Sequence, residues 1–149
     1  MNRFLPLAFL MAAAPGALAD EATDKEHKAL QGEWTWISHE VGGKMMEPAA
    51  DDRPVVKIEK DKWFFKNKDT ADFKEAGKFK LDVMTTPKCV DLVSTAEDSK
   101  GQKNEAIYKL EEDKLTIVLN LNADDKSRPM EFKTADKPGM ILVVLERKK

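Results

Sequence analysis

The stretch Lys78-Phe79-Lys80-Leu81-Asp82-Val83 alternates strictly between charged and apolar side chains. In an extended chain successive side chains point to opposite faces. Phe79, Leu81 and Val83 therefore share a face that seeks a core, and Lys78, Lys80 and Asp82 share one that seeks water. The hexamer is predicted to be a half-buried β-strand. The same period recurs outward from it in both directions. Upstream, Trp34 and Trp36 fall on one face and Glu33 and Thr35 on the other, and Val55-Val56-Lys57-Ile58 is divided from Trp63-Phe64-Phe65 by the polar turn Glu59-Lys60-Asp61-Lys62. Downstream, strands are predicted at Lys88 to Val93, Glu105 to Leu110, Leu115 to Asn120, Pro129 to Lys133 and Met140 to Arg147. Charged or polar turns separate them, among them Glu97 to Lys103, Glu111-Glu112-Asp113 and Ala123 to Ser127.

About eight to ten short strands follow one another with no helix long enough to cross between parallel neighbours, which argues against a βαβ architecture. Two antiparallel solutions remain, a closed barrel and a two-sheet sandwich, and alternation alone does not separate them. The expectation is all-β: an antiparallel up-and-down barrel, which leaves no open edge, preceded by a short N-terminal helix. For the helix, Thr23-Asp24-Lys25-Glu26 fits a capping box, and Gly32 stops the helical pattern after Leu30.

The N-terminus reads as an export signal. Arg3 supplies the positive charge, Phe4 to Ala14 is almost wholly apolar, and Ala17-Leu18-Ala19 places small residues where a signal peptidase reads them. Cleavage is expected after Ala19, giving a signal peptide at 1–19 and one domain at 20–149, with a periplasmic or extracellular destination. No later apolar run is long enough for a spanning helix, so stable membrane insertion after cleavage is not expected. The whole chain has 149 residues, with 25 Lys and Arg against 27 Asp and Glu. The charges are interleaved and form no basic face, which argues against nucleic acid as a partner.

The chemistry-bearing residues are sparse. His27 and His39 lack metal-ligand spacing, Gly42-Gly43-Lys44 lacks the rest of a phosphate loop, and Asp51-Asp52 starts no calcium-loop pattern. The single cysteine, Cys89, has no histidine near it in sequence and is expected to pack as a small hydrophobe. No catalytic residue, metal or cofactor is assigned, and the chain is read as noncatalytic.

Gln31-Gly32-Glu33-Trp34, following a short helix and opening the first strand, resembles the Gly-x-Trp start of lipocalin-like barrels. Four further segments occur in order: Val41-Gly42-Gly43-Lys44, Ile107 to Leu115, Arg128-Pro129-Met130-Glu131-Phe132 and Ile141 to Arg147. With the opening Leu30 to Trp34, they resemble an uncharacterised paralogous domain family expanded in planctomycete bacteria, across essentially all of the chain after the signal. The resemblance implies a secreted lipocalin-like barrel and brings no reaction or ligand with it. It also implies that Trp34 packs at the closed end against a cation from the last strand, for which Arg147 is the match, with Lys148 and Lys149 close by. The disulfides of animal lipocalins cannot form around one cysteine. Physically, Gly32 allows close approach of the chain, and the Trp34 indole can cover the base of a small barrel.

An eight-stranded barrel is near the size at which the interior is either filled by side chains or holds one small ligand. Trp36, Phe79, Leu81, Tyr108, Ile117 and Phe132 are the candidate ligand-binding residues of such a cup, with Tyr108 supplying a polar tip. Two functions follow. In one, the exported barrel reversibly binds a small apolar or amphipathic molecule. In the other, the same side chains fill the core and the surface serves as a protein-interaction or inhibitor module.

Overall fold

The computed structural model describes residues 15–122 and 127–149. Most of the expected signal segment and most of the expected Ala123 to Ser127 turn lie outside the described residues. The elements are α1 (Pro15–Leu30), β1 (Gly32–Val41), β2 (Lys44–Met46), β3 (Val55–Glu59), β4 (Lys62–Lys66), β5 (Lys74–Asp82), β6 (Lys88–Ser94), β7 (Lys103–Glu111), β8 (Lys114–Asn120) and β9 (Met140–Arg147).

Every strand from β3 to β8 pairs antiparallel with the next. β1 pairs with β3 on one side and β9 on the other, Trp34 opposite Arg147 and Trp36 opposite Leu145. Eight strands thus close into a lipocalin-like up-and-down barrel, and the sandwich is excluded because β9 bonds to both β8 and β1. The alternation read from the sequence fixes which side chains enter. Phe79 and Leu81 on β5 stand opposite Leu92 and Val90 on β6, and Tyr108 and Ala106 on β7 opposite Ile117 and Leu119 on β8. A bulge between Trp36 and Ser38 changes the register of β1 against β9, which re-aims the residues beyond it. Gly77 is buried on the inner face, where the Trp63 ring lies over it and a Cβ would collide with that ring and with the Val93 carbonyl.

β2 was not foreseen. It arises because β1 outruns β3, and the leftover backbone from His39 to Val41 turns through Gly42 and Gly43, both at positive φ, to pair with Lys44–Met46. The strand predicted at Pro129 to Lys133 is corrected: no strand forms there. The barrel is already closed by β8–β9–β1, so its eight strands leave this segment no place between them. It runs instead as a strap outside the barrel. Arg128 donates to the Ala106 carbonyl at 2.7 Å and pairs with Asp91. Thr134, fully buried, donates to Glu40 at 2.6 Å and accepts from the Gly43 N–H at 2.9 Å. The outward pair Ile107 and Val118 is buried on the side to which this strap is tied.

The helix differs from expectation at its start. Thr23 lies inside α1 and its hydroxyl donates back to the Ala19 carbonyl at 2.8 Å, so Thr23 is no N-cap. Glu26 turns to the barrel instead, accepting from Lys88 at 3.0 Å and from the Tyr108 hydroxyl at 3.1 Å. α1 ends at Leu30 as expected, ahead of Gly32 at φ 119°.

Candidate functional site

The barrel has a closed base and an apolar interior, and the base explains which end remains for entry. The last carbonyls of a helix have no partner within it. Here the Trp34 indole N–H donates to the Leu30 carbonyl at 2.9 Å, and the Arg147 guanidinium donates to the carbonyls of Gln31 and Ala29. The same guanidinium stacks 4.3 Å from the centre of the Trp34 ring, so it serves as helix cap and cation–π partner at once. Gln31 fastens the β3–β4 turn through both backbone groups of Lys60. α1 therefore seals the end of the barrel where β1 begins and β9 ends, and the opposite end is formed by the start of β7 and the end of β6.

Above this base lies a cavity of about 240 Å³. It is lined by Leu30 from the helix, Trp36, Val56, Ile58, Trp63 and Phe65 from the first strands, Phe79, Leu81, Val90 and Leu92 from β5 and β6, and Leu115, Ile117, Leu119, Val143 and Leu145 from β8 and β9. Ser94, Asn104 and Tyr108 are the polar members of the wall, and no charged side chain lines it among the described residues. A water molecule needs roughly 10–15 Å³ of such space, so the interior is not filled to native density.

Of the six residues expected to form a cup, Trp36, Phe79, Leu81, Tyr108 and Ile117 line this cavity together. Phe132 does not. It lies on the outer strap with the Lys109 ammonium 4.9 Å from its ring centre, because the segment that carries it stays outside the closed sheet. Tyr108 is only 2% exposed and its hydroxyl is held by Glu26 at the base. Burial, followed by the negative charge of Glu26 and the hydrogen bond to it, raises the Tyr108 pKa well above the ordinary tyrosine range. It stays a neutral donor, committed to the helix.

Sequence reasoning passed over several wall residues. In the sequence Trp63 and Phe65 read only as strand-formers, and Ser94 and Asn104 lie one residue outside the expected strands Lys88 to Val93 and Glu105 to Leu110. The alternation of β6 and β7 was the available signal, since Ser94 shares parity with Val90 and Leu92, and Asn104 with Ala106 and Tyr108. Ser94 is occupied by Ser99 at 2.6 Å and by the Ala76 carbonyl at 3.4 Å. The Asn104 side-chain amide makes no hydrogen bond to the described residues.

The histidines are packing elements. His27 stacks on Phe79 at 5.1 Å, and His39 meets Trp36 edge to face at 5.9 Å. Trp36 Nε1 and His39 Nδ1 are enclosed without a hydrogen-bond partner among the described residues. Cys89 faces outward, half-buried, with the Thr85 hydroxyl donating to its sulfur at 3.3 Å. Asp52 pairs with Lys68 at 2.6 Å. Burial opposes the charge on Arg128, but hydrogen bonding and charge pairing with Asp91 prevail and raise its pKa. Among the described residues, no group of three or more His, Cys, Asp or Glu side chains is placed to hold a metal ion. No protein-family model, curated protein or solved structure matches the chain.

Proposed function

We propose that the protein is an exported, noncatalytic barrel that reversibly binds one small apolar or amphipathic molecule in its interior. The observation that carries this reading is the apolar cavity of about 240 Å³ above a sealed base. A dry cavity of roughly 150 Å³ holds a benzene, so this one has room for a ligand of roughly ten non-hydrogen atoms. Each methylene taken from water contributes about 0.8 kcal/mol, which puts an eight-carbon alcohol at a Kd of roughly 10 μM to 1 mM. Binding without transformation is part of the same proposal, supported by a wall that offers a ligand no charged side chain and by a Tyr108 hydroxyl already engaged. Export rests on the N-terminal segment, and kinship with the planctomycete domain family rests on the ordered segments quoted above.

The surface-interaction reading draws on the β1–β2 hairpin, where Val41, Met45 and Met46 are 45%, 62% and 42% exposed. A filled core is its premise, and the cavity favours the binding reading over it. Calorimetric titration with octanol tests the choice. One saturable site with a negative heat-capacity change is expected, lost in Ile117→Phe, which extends a ring into the cavity. Absence of saturable binding to the wild type counts against the proposal.

A further inference from the structure

We infer that the cavity selects ligands with an uncharged hydrogen-bonding head, such as a primary amide or an alcohol, held at the end opposite α1 by Asn104 with the apolar tail toward α1. This rests on the cavity being a binding site, and adds which end of the ligand goes where and which head group is refused.

The polarity of the wall is graded along the barrel axis. At the base, the one polar tip is the Tyr108 hydroxyl, spent on Glu26. Between the base and the far end the wall is hydrocarbon and aromatic. β6 runs from Lys88, which is tied to the helix by Glu26, to Ser94 at the far end, and β7 starts at that end with Asn104 opposite Leu92. Ser94 is satisfied by Ser99 and Ala76. Asn104 is not satisfied by any described residue, so its amide offers two donors and an acceptor to whatever enters. The Trp36 N–H does not compete for the ligand, because Nε1 is enclosed.

Head-group charge follows from the same wall. A carboxylate or ammonium placed beside Asn104 would leave water without meeting a counter-charge, since the described lining holds none. A neutral head that both donates and accepts can answer both functions of the amide and loses little on entry.

The test compares octanamide, octanol, octanoate at neutral pH and the wholly apolar propylbenzene on the full chain and on Asn104→Leu, read by tryptophan fluorescence or calorimetry. For the wild type, octanamide and octanol are expected to bind at least roughly tenfold more tightly than octanoate. Asn104→Leu is expected to weaken octanamide by roughly five- to tenfold while propylbenzene binds as before, which shows that the variant is folded and its cavity intact. Octanoate binding as tightly as octanol, or octanamide unaffected by Asn104→Leu, overturns the inference and leaves the cavity reading standing. If propylbenzene and the three chain compounds all fail to bind the wild type, the cavity reading falls and this inference falls with it.

Discussion

Trp34 and Arg147 show how two side chains can close a barrel. The indole is wholly buried, its N–H satisfies the end of α1, and the guanidinium covers its face while capping the two adjacent carbonyls. Trp34→Ala removes the buried ring, its N–H bond and the face on which the guanidinium stacks, and large-to-small changes of this kind in a packed core cost roughly 3–5 kcal/mol. Urea unfolding of the two proteins is expected to differ by that amount, and a difference below about 1 kcal/mol would contradict the assignment. Tyr108 permits a second check because it is the only tyrosine in the chain. Its folded pKa is raised above the unfolded value, so its contribution to stability is complete below pH of about 10 and is lost as the pH climbs beyond that. In an alkaline titration, tyrosinate absorbance is expected only together with loss of far-ultraviolet circular dichroism. Ionisation of a folded Tyr108 near pH 10 (its ordinary value) would contradict its burial against Glu26.

Among the elements, the legible ones are those whose two faces meet different solvents. β5 declared itself through Phe79, Leu81 and Val83 because one side of it is core and the other water. Pro129 to Lys133 has a similar local pattern and still forms no strand, since whether a segment pairs depends on a place in the sheet elsewhere, and β9 had already closed the barrel. β2 was invisible for the converse reason: Lys44, Met45 and Met46 are all exposed and carry no alternation, and the hairpin exists because of Gly42 and Gly43. Thr23 to Glu26 matched a cap by residue type, yet the helix began earlier and Glu26 was claimed by a tertiary partner. The strap can be tested through Thr134, whose hydroxyl joins it to Glu40 and Gly43. Thr134→Val keeps the shape and removes the bonds, leaving a carboxylate and an N–H short of a partner. A loss of about 1–3 kcal/mol is expected, with faster proteolysis in the segment between β8 and β9. An unchanged cleavage rate and stability would show that the strap is held by packing alone.

For the whole molecule, the antiparallel all-β class was legible, whereas closure rests on the β9–β1 pairing that alternation alone does not specify, and the content of the interior was not legible. Alternation names the residues that face inward and so recovered five of the six candidates around the cavity, Phe132 being lost with its strand. Whether those inward side chains meet or leave a space depends on how the strands tilt around the barrel and on Gly77, which lets the Trp63 ring lie against the wall. No period in the sequence encodes that. The binding reading therefore stands on the cavity, and its most direct test is native mass spectrometry of the protein isolated from its own host, before and after exposure to an organic extract of the same cells. The expected result is a chain beginning at Asp20 that carries one small molecule of roughly ten non-hydrogen atoms, released by organic solvent and regained from the extract. A chain that carries nothing as isolated and takes up nothing from the extract would contradict the account.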